Sequence, residues 1–264
     1  MKRNLIILKI GGSVITDKFS KKPRVKTKIL KRISREISSA YKKKKFSLIL
    51  LHGAGSYGHK IVKETKINKG IKSFEQLKAF AETQRLQNEL NSIITKHLID
   101  VGLPAIPCQP SSFVVMDSGR IVEMSISAIV GLLKVKMIPV LYGVPAYDKT
   151  QKCSILSGDQ IAPFLALRLN AKKIIHATNV DGVFTDDPNI NPNAEFIPEI
   201  NSKNIEKIKK CLKTSLAPDV TGGMLNKVLE VMKAKVEGQI INGLVPGNIY
   251  KALMGEKIGT LIKP

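Results

Sequence analysis

The stretch FSLILLHGAGSYGHK, residues 46–60, decides the fold. An apolar run ends abruptly in a loop carrying Gly53, Gly55 and Gly58, and His59 closes the loop. An unbroken apolar run suits a strand buried on both faces, as in a parallel sheet. Strand, glycine turn and helix start together aim several backbone N–H groups at one point, which suits an anion.

The same grammar recurs on both sides of this stretch. Residues 5–10 (LIILKI) read as a buried strand ending in Gly11, Gly12 and Ser13. Residues 26–45 predict a helix, because Ile29, Ile33, Ile37 and Tyr41 recur every fourth residue with basic residues opposite. Ser73-Phe74-Glu75-Gln76 is a capping-box pattern and opens a long helix that stops near Gly102. Strands follow at 105–108 and 137–142, and turn-rich hairpins are expected at 114–123 and 147–153. A helix from Ser157, a strand at 173–177, an amphipathic segment at 202–213, a helix at 225–235 and strands at 239–241 and 260–262 complete the chain. Strands alternate with helices throughout, so the expected fold class is α/β: a three-layer αβα sandwich with a mainly parallel central sheet. The 264 residues are expected to form a single domain with one continuous sheet.

Composition narrows the function classes. No apolar run approaches the roughly 20 residues of a membrane span, and the apolar N-terminal segment is too short for a secretory leader and is interrupted by Lys9. Cys108, Cys153 and Cys211 are isolated and not in CxxC spacing, which points to thiols in a reducing compartment and a cytoplasmic location. A formal charge of +22 raises nucleic acid as a partner. The lysines are spread along the chain, however, and the short run at 42–45 has no interleaved aromatics. A solvated lysine-rich surface around a site for small polyanions is the plainer reading.

Four small-residue turns fall at strand ends or helix starts: 11–13, 53–56, 157–159 and 221–223. Any one of them is more often a plain turn than a phosphate site. Four in one α/β chain, with Lys9, Lys18 and Lys227 beside them, form a constellation for phosphate. No Walker A motif is present, which excludes a P-loop fold.

In order, LKIGGSVITDK (8–18), HGAGSYGH (52–59), SGD (157–159), ATNVDGVFTDDP (177–188) and DVTGGM (219–224) resemble the amino acid kinase family over nearly the whole chain. His59 and QPSSF (109–113) resemble its archaeal-type isopentenyl phosphate kinase branch. That resemblance implies ATP-dependent phosphorylation of isopentenyl phosphate with Mg²⁺, in a cytoplasmic homodimer that needs neither nucleic acid nor membrane. It places the acceptor in about 1–150 and ATP in about 151–264.

Carried onto this chain, the resemblance implies catalytic roles for Lys9, Lys18, His59 and Asp159. ATP would meet Lys9, Gly11, Gly12, Ser13 and Gly55 from the first half, and Asn179, Asp181, Phe184, Gly222, Gly223 and Lys227 from the second. The acceptor would meet Ala54, Gly55, His59 and Gly158, and no side-chain metal ligand is expected. The chemistry agrees: phosphoryl transfer needs positioning and charge neutralisation, and an ionised phosphate acceptor needs no general base.

Two residues keep a plainer alternative. Asp159 can cap a helix or orient Lys9 and Lys18 or the metal; His59 can cap the following helix or donate to the acceptor phosphate. His52 reads as structural, and His97 and His176 receive no chemistry. Ile61, Val62, Ile67, Leu77 and Phe80 are the candidate walls for an apolar tail. Ala54 stands second of the three positions after His52 where relatives usually carry glycines, so this position needs no positive φ. Tyr142-Gly143-Val144 replaces the family's frequent His-Gly-Asp near the acceptor. Alternatives in the same fold are a fosfomycin-type phosphonate kinase and a nucleoside monophosphate kinase. Outside enzymes they are a nucleotide-binding sensor and a nucleic-acid binder.

Overall fold

The computed structural model describes residues 4–17, 20, 22–188, 190–214 and 223–264. Its centre is an eight-stranded sheet in the spatial order Glu199–Asn201, Thr260–Lys263, Glu237–Asn242, Lys173–Thr178, Leu5–Ile10, Ser47–His52, Ile138–Tyr142, Ala105–Pro107. Every neighbouring pair is parallel except Glu237–Asn242 with Thr260–Lys263. The strand read from the opening stretch lies inside this sheet, between Leu5–Ile10 and Ile138–Tyr142. That position explains why both of its faces are apolar.

Strand parity divides the core. Leu5 and Ile7 join the apolar cluster on one face; Ile6, Leu8 and Ile10 join the cluster on the other. Gly158–Arg168 and Gly223–Ala234 cover the first face through Ile161, Leu165, Val228 and Val231. Thr27–Lys43, Phe74–Asp100 and Asn248–Met254 cover the second through Ile33, Ile37, Leu90, Ile94 and Ile249. Each such fully buried side chain contributes about 1.5–3 kcal/mol.

Local signals explain the helix boundaries. Ser73 accepts from Gln76 N at 3.3 Å, and Gln76 Oε1 accepts from Lys72 N at 2.6 Å, so the capping box forms one residue wider than its usual reciprocal pair. A separate four-stranded sheet holds both expected hairpins, Val114–Asp117 with Arg120–Met124 and Val144–Asp148 with Lys152–Leu156. The elements that escape the sequence reading include the edge strand Glu199–Asn201 of the main sheet, a short helix and a two-residue ladder. Asn248–Met254 is too short for periodicity to reveal, although it buries Ile249, Ala252 and Leu253. The polar excursion at 186–199 contains half of a two-residue ladder, Val183–Phe184 with Phe196–Ile197.

Candidate functional site

The carboxyl ends of five central strands meet at one edge, and glycines extend the ladder beyond them. Gly11 N donates to Ala177 O at 2.8 Å and Gly53 N to Ile10 O at 2.9 Å. Gly143 N donates to His52 O at 3.2 Å and Gly243 N to Thr178 O at 2.8 Å. The loops therefore leave the sheet side by side, around the crevice where open α/β sheets bind ligands.

Two glycine loops touch backbone to backbone. A Cβ on Gly12 would lie 2.2 Å from Gly55 N, and one on Gly53 would lie 2.6 Å from Gly12 N. Gly55 has φ +52, whereas Ala54 has φ −67, as its methyl group predicts. Thr16, which the sequence reading did not single out, fastens the pair. Its hydroxyl donates to Gly12 O at 2.7 Å and accepts from Ser56 N at 3.0 Å.

A cavity of about 990 Å³ opens at this edge. Lys9, Gly11, Gly12 and Ser13 line it from the first loop, and Ala54, Gly55 and His59 from the second. Gly158, Asp159, Asn179, Phe184, Gly223 and Lys227 line it from the other half. Among the expected site residues, Asp181 does not line the cavity; its carboxylate accepts from Asn242 Nδ2 at 2.9 Å. Lys18 and Gly222 lie outside the described residues.

The cavity floor is charged. Lys9 continues the parity of Leu5 and Ile7, so it projects toward the face covered by Gly158–Arg168. There its Nζ donates to Asp159 Oδ1 at 2.5 Å, while Lys227 Nζ lies 3.6 Å from Oδ2. Asp159 is 4% exposed and Lys9 6%. Burial opposes ionisation of Asp159, and Lys9, Lys227 and His176 overcome it, holding the carboxyl well below the usual carboxylate range. Ser157, not Asp159, caps the helix, since its hydroxyl accepts from Asp159 N at 3.1 Å. The capping alternative for Asp159 is thereby removed. Lys227 is a second lysine on its carboxylate, and the expectation that Asp159 orients Lys18 lies outside the described residues.

His59 is the first residue of His59–Thr65, and Gly58 holds the cap position, so His59 does not cap this helix. His52 is structural, as expected. It is fully buried, its Nδ1 lies 3.2 Å from Gly53 O, its Nε2 lies 3.1 Å from Asn91 Nδ2, and its ring stacks on Tyr142. Asn91 Nδ2 is a donor, which assigns the His52 proton to Nδ1.

The apolar wall differs from expectation. Ile61 and Val62 line the cavity, but Leu77 is 49% exposed, and Phe80 and Ile67 sit behind the wall, in one small cluster with Ile61, Val62 and Ile155. One turn further along Phe74–Asp100, Thr83, Leu86 and Gln87 face the cavity, opposite Val144 and Ile155. A buried polar stripe at steps of four (Thr83, Gln87, Asn91, Thr95) was the sequence signal for this face.

Residues 4–242 match the amino acid kinase family. The chain belongs to the amino acid kinase family. Within it, the isopentenyl phosphate kinase of Methanothermobacter thermautotrophicus is 41% identical over 269 residues, covering 98% of each chain. That of Methanocaldococcus jannaschii is 42% identical over 265 residues, again covering 98% of each. A solved structure of an isopentenyl phosphate kinase superposes with a TM-score of 0.85 at 38% identity, covering 98% of this chain and all of the other. The likeness to this amino acid kinase branch thus spans the sheet, both glycine loops and the charged floor.

Two buried histidines give the family member a pH signature. Burial pushes His52 down to about 4, against the hydrogen bond to Gly53. Burial also pushes His176 down to about 3; Asp159 opposes the shift, and Lys9 and Lys227 add to it. Both are neutral when folded and bind protons when unfolded, so the stability they contribute is present above the unfolded value of about 6.5 and is lost as pH falls toward 4 and 3. The melting temperature is therefore expected to fall between pH 7 and pH 5, with net proton uptake on unfolding measured calorimetrically at pH 5.5. A flat melting temperature without proton uptake would contradict both assignments.

Proposed function

We propose that this chain transfers the γ-phosphoryl group of ATP to isopentenyl phosphate, giving isopentenyl diphosphate and ADP. The observation that carries the reading is the charged floor: one buried carboxylate held by two lysines in a cavity that two glycine loops share. A carboxylate so engaged is not a general base. An acceptor that is already ionised needs none, and what it needs is positive charge between two repelling anions. The full-length likeness to isopentenyl phosphate kinases supports the identity of the acceptor.

In this reading the chain is a phosphotransferase and ATP its donor. An acceptor oxygen attacks the γ-phosphorus in line, and the bond to the β–γ bridging oxygen breaks. Lys9 bridges donor and acceptor phosphates, and Asp159 orients Lys9 and Lys227. Lys227, with the N-terminal N–H groups of Gly223–Ala234, meets the ATP phosphates. Lys18 reaches the transferring group. Gly11, Gly12, Ser13, Gly55, Asn179 and Phe184 pack against ATP, with Asp181 and Gly222 supporting the nucleotide loops. Ala54, Gly55, Gly158 and His59 hold the acceptor phosphate, and Leu86, Val144 and Ile155 its apolar tail.

Among the described residues no group of three or more His, Cys, Asp or Glu could hold a metal. Mg²⁺ carried by phosphate oxygens and water would neutralise charge on the transferring phosphates. Among the described residues no helix is long and apolar enough to cross a membrane. A cytoplasmic homodimer completes the reading, with ATP and an alkyl monophosphate as its small-molecule partners.

The test is ADP release with Mg-ATP against isopentenyl phosphate, dimethylallyl phosphate, fosfomycin, UMP and acetylglutamate. Isopentenyl phosphate is expected to give the highest kcat/KM, and a preference for acetylglutamate would overturn the role of His59. His59→Ala is expected to lower kcat/KM for the acceptor by about 10²-fold while shifting the KM for ATP by less than about threefold, in line with loss of one charge-assisted hydrogen bond.

A further inference from the structure

The sequence reading left His176 without chemistry, yet the fold places it beneath the charged floor. It stands on Lys173–Thr178, in direct register with Lys9 on one side and Ile240 on the other. It shares the parity of Ile174, so it faces the same side of the sheet as Lys9. Its Nδ1 lies 3.5 Å from Asp159 Oδ1, the oxygen that Lys9 holds. The ring is 1% exposed, and neither ring nitrogen makes a hydrogen bond in this arrangement.

A buried imidazole without hydrogen bonds is costly, and its neighbour two residues back shows that an isoleucine suits this face. The charged groups facing it come from each element packed around it: Lys9 from the adjacent strand, Asp159 from Gly158–Arg168, and Lys227 from Gly223–Ala234. Burial, with Lys9 and Lys227 adding to it and Asp159 opposing, keeps the imidazole neutral, so it offers one N–H donor and adds no charge. Substrate loading changes the balance. Phosphates draw Lys9 and Lys227 toward the cavity, which weakens their hold on a carboxylate that remains buried. The donor positioned to replace them is the imidazole already under Oδ1.

We propose that His176 is a positioning residue for the phosphoryl transfer: its Nδ1–H takes up Asp159 Oδ1 as Lys9 turns from the carboxylate to the phosphates. The inference rests on the phosphotransferase reading of the cavity. It explains why the position holds a neutral donor: a third cation would tighten the carboxylate, and an alkyl group would leave it to compete with the phosphates for Lys9.

Two measurements test it. His176→Leu is expected to lower kcat about tenfold, equivalent to about 1.4 kcal/mol, with the KM for ATP and for isopentenyl phosphate changed less than about twofold. His176→Asn places its amide nitrogen as many bonds from Cβ as Nδ1 and is expected to restore most of that turnover. An active wild type with His176→Leu at the same kcat overturns this inference alone. A wild type that releases no ADP with any acceptor overturns the function reading and this inference with it. The second measurement needs no variant: ¹⁵N spectra of the imidazole in the intact chain, alone and with Mg²⁺, a non-hydrolysable ATP analogue and isopentenyl phosphate. The Nδ1–H tautomer with a shift of Nδ1 on loading is expected, and an Nε2–H tautomer in the loaded chain overturns the proposal.

Discussion

Asp159→Asn is expected to lower kcat by about a thousandfold. The carboxylate is the counterion of Lys9 at 2.5 Å and of Lys227 at 3.6 Å. Without it, Lys9 and Lys227 lose the carboxylate that orients them. A misplaced ammonium does not stabilise charge developing between two phosphates. Loss of one positioned electrostatic contact costs about 10²–10³ in kcat, and here two lysines lose their orientation, so the upper end applies. Stability follows the same logic. Removing one partner of a buried ion pair costs about 3–5 kcal/mol, and the cavity beside Lys9 admits water, so about 3 kcal/mol is expected. A kcat within threefold of the wild type would remove Asp159 from the organisation of the site.

This charged floor shows what the sequence made legible and what it hid. Lys9 and Asp159 were identifiable because each adjoins a small-residue turn at the end of a strand or the start of a helix. Their pairing spans 150 residues, and only the parallel register brings it about. The approach of Lys227 to the same carboxylate depends on packing between helices as well. His176 was invisible for the same reason. Alternation places it on the face of Ile174, but it becomes the neighbour of Lys9 only once the two strands are in register. Asp181 sits within a motif that resembles the family's nucleotide loop, yet Asn242 holds its carboxylate and it does not line the cavity.

The fold was easier to read because it rests on repeated local signals. Continuous apolar runs meant strands buried on both faces, and the carboxyl-end loops followed from them. The expected tail wall was half right, for a geometric reason. Ile61 and Val62 line the cavity, whereas Leu77 on the first turn of Phe74–Asp100 faces solvent and Phe80 packs behind Ile61 and Val62. The side chains that do reach it include Thr83 and Gln87, whose polarity argued against an apolar pocket. Gln87 is wholly buried, with both amide atoms lacking hydrogen bonds, so this wall joins apolar surface to an unsatisfied polar patch.

Gly12→Ala is expected to disrupt stability and turnover together, because it strikes the contact between the two glycine loops. The added methyl would lie 2.2 Å from Gly55 N and 2.6 Å from Gly55 Cα. Both atoms belong to backbone, so no side-chain rotation relieves the clash, and the loops must separate by about 1 Å to reach ordinary van der Waals distance. Separation also pulls on Thr16, which bonds Gly12 O and Ser56 N. Overpacking of this kind costs about 1–3 kcal/mol, and for a chain of this size each 1 kcal/mol lowers the melting temperature by about 2–4 °C. A fall of about 6–10 °C is therefore expected. A misplacement of about 1 Å in groups that position a reacting phosphate costs about 10²-fold in rate, so kcat should fall by a similar factor even at temperatures where the variant is fully folded. Gly131→Ala is the control. Gly131 lies within Ser127–Lys134, and a Cβ there meets nothing within 4 Å. Helix propensity makes that change neutral or stabilising by up to about 1 kcal/mol, with turnover unchanged. Equal melting temperatures for the two variants would show that the loops tolerate separation, and a Gly12→Ala protein of wild-type kcat would show that their contact does not position the phosphates.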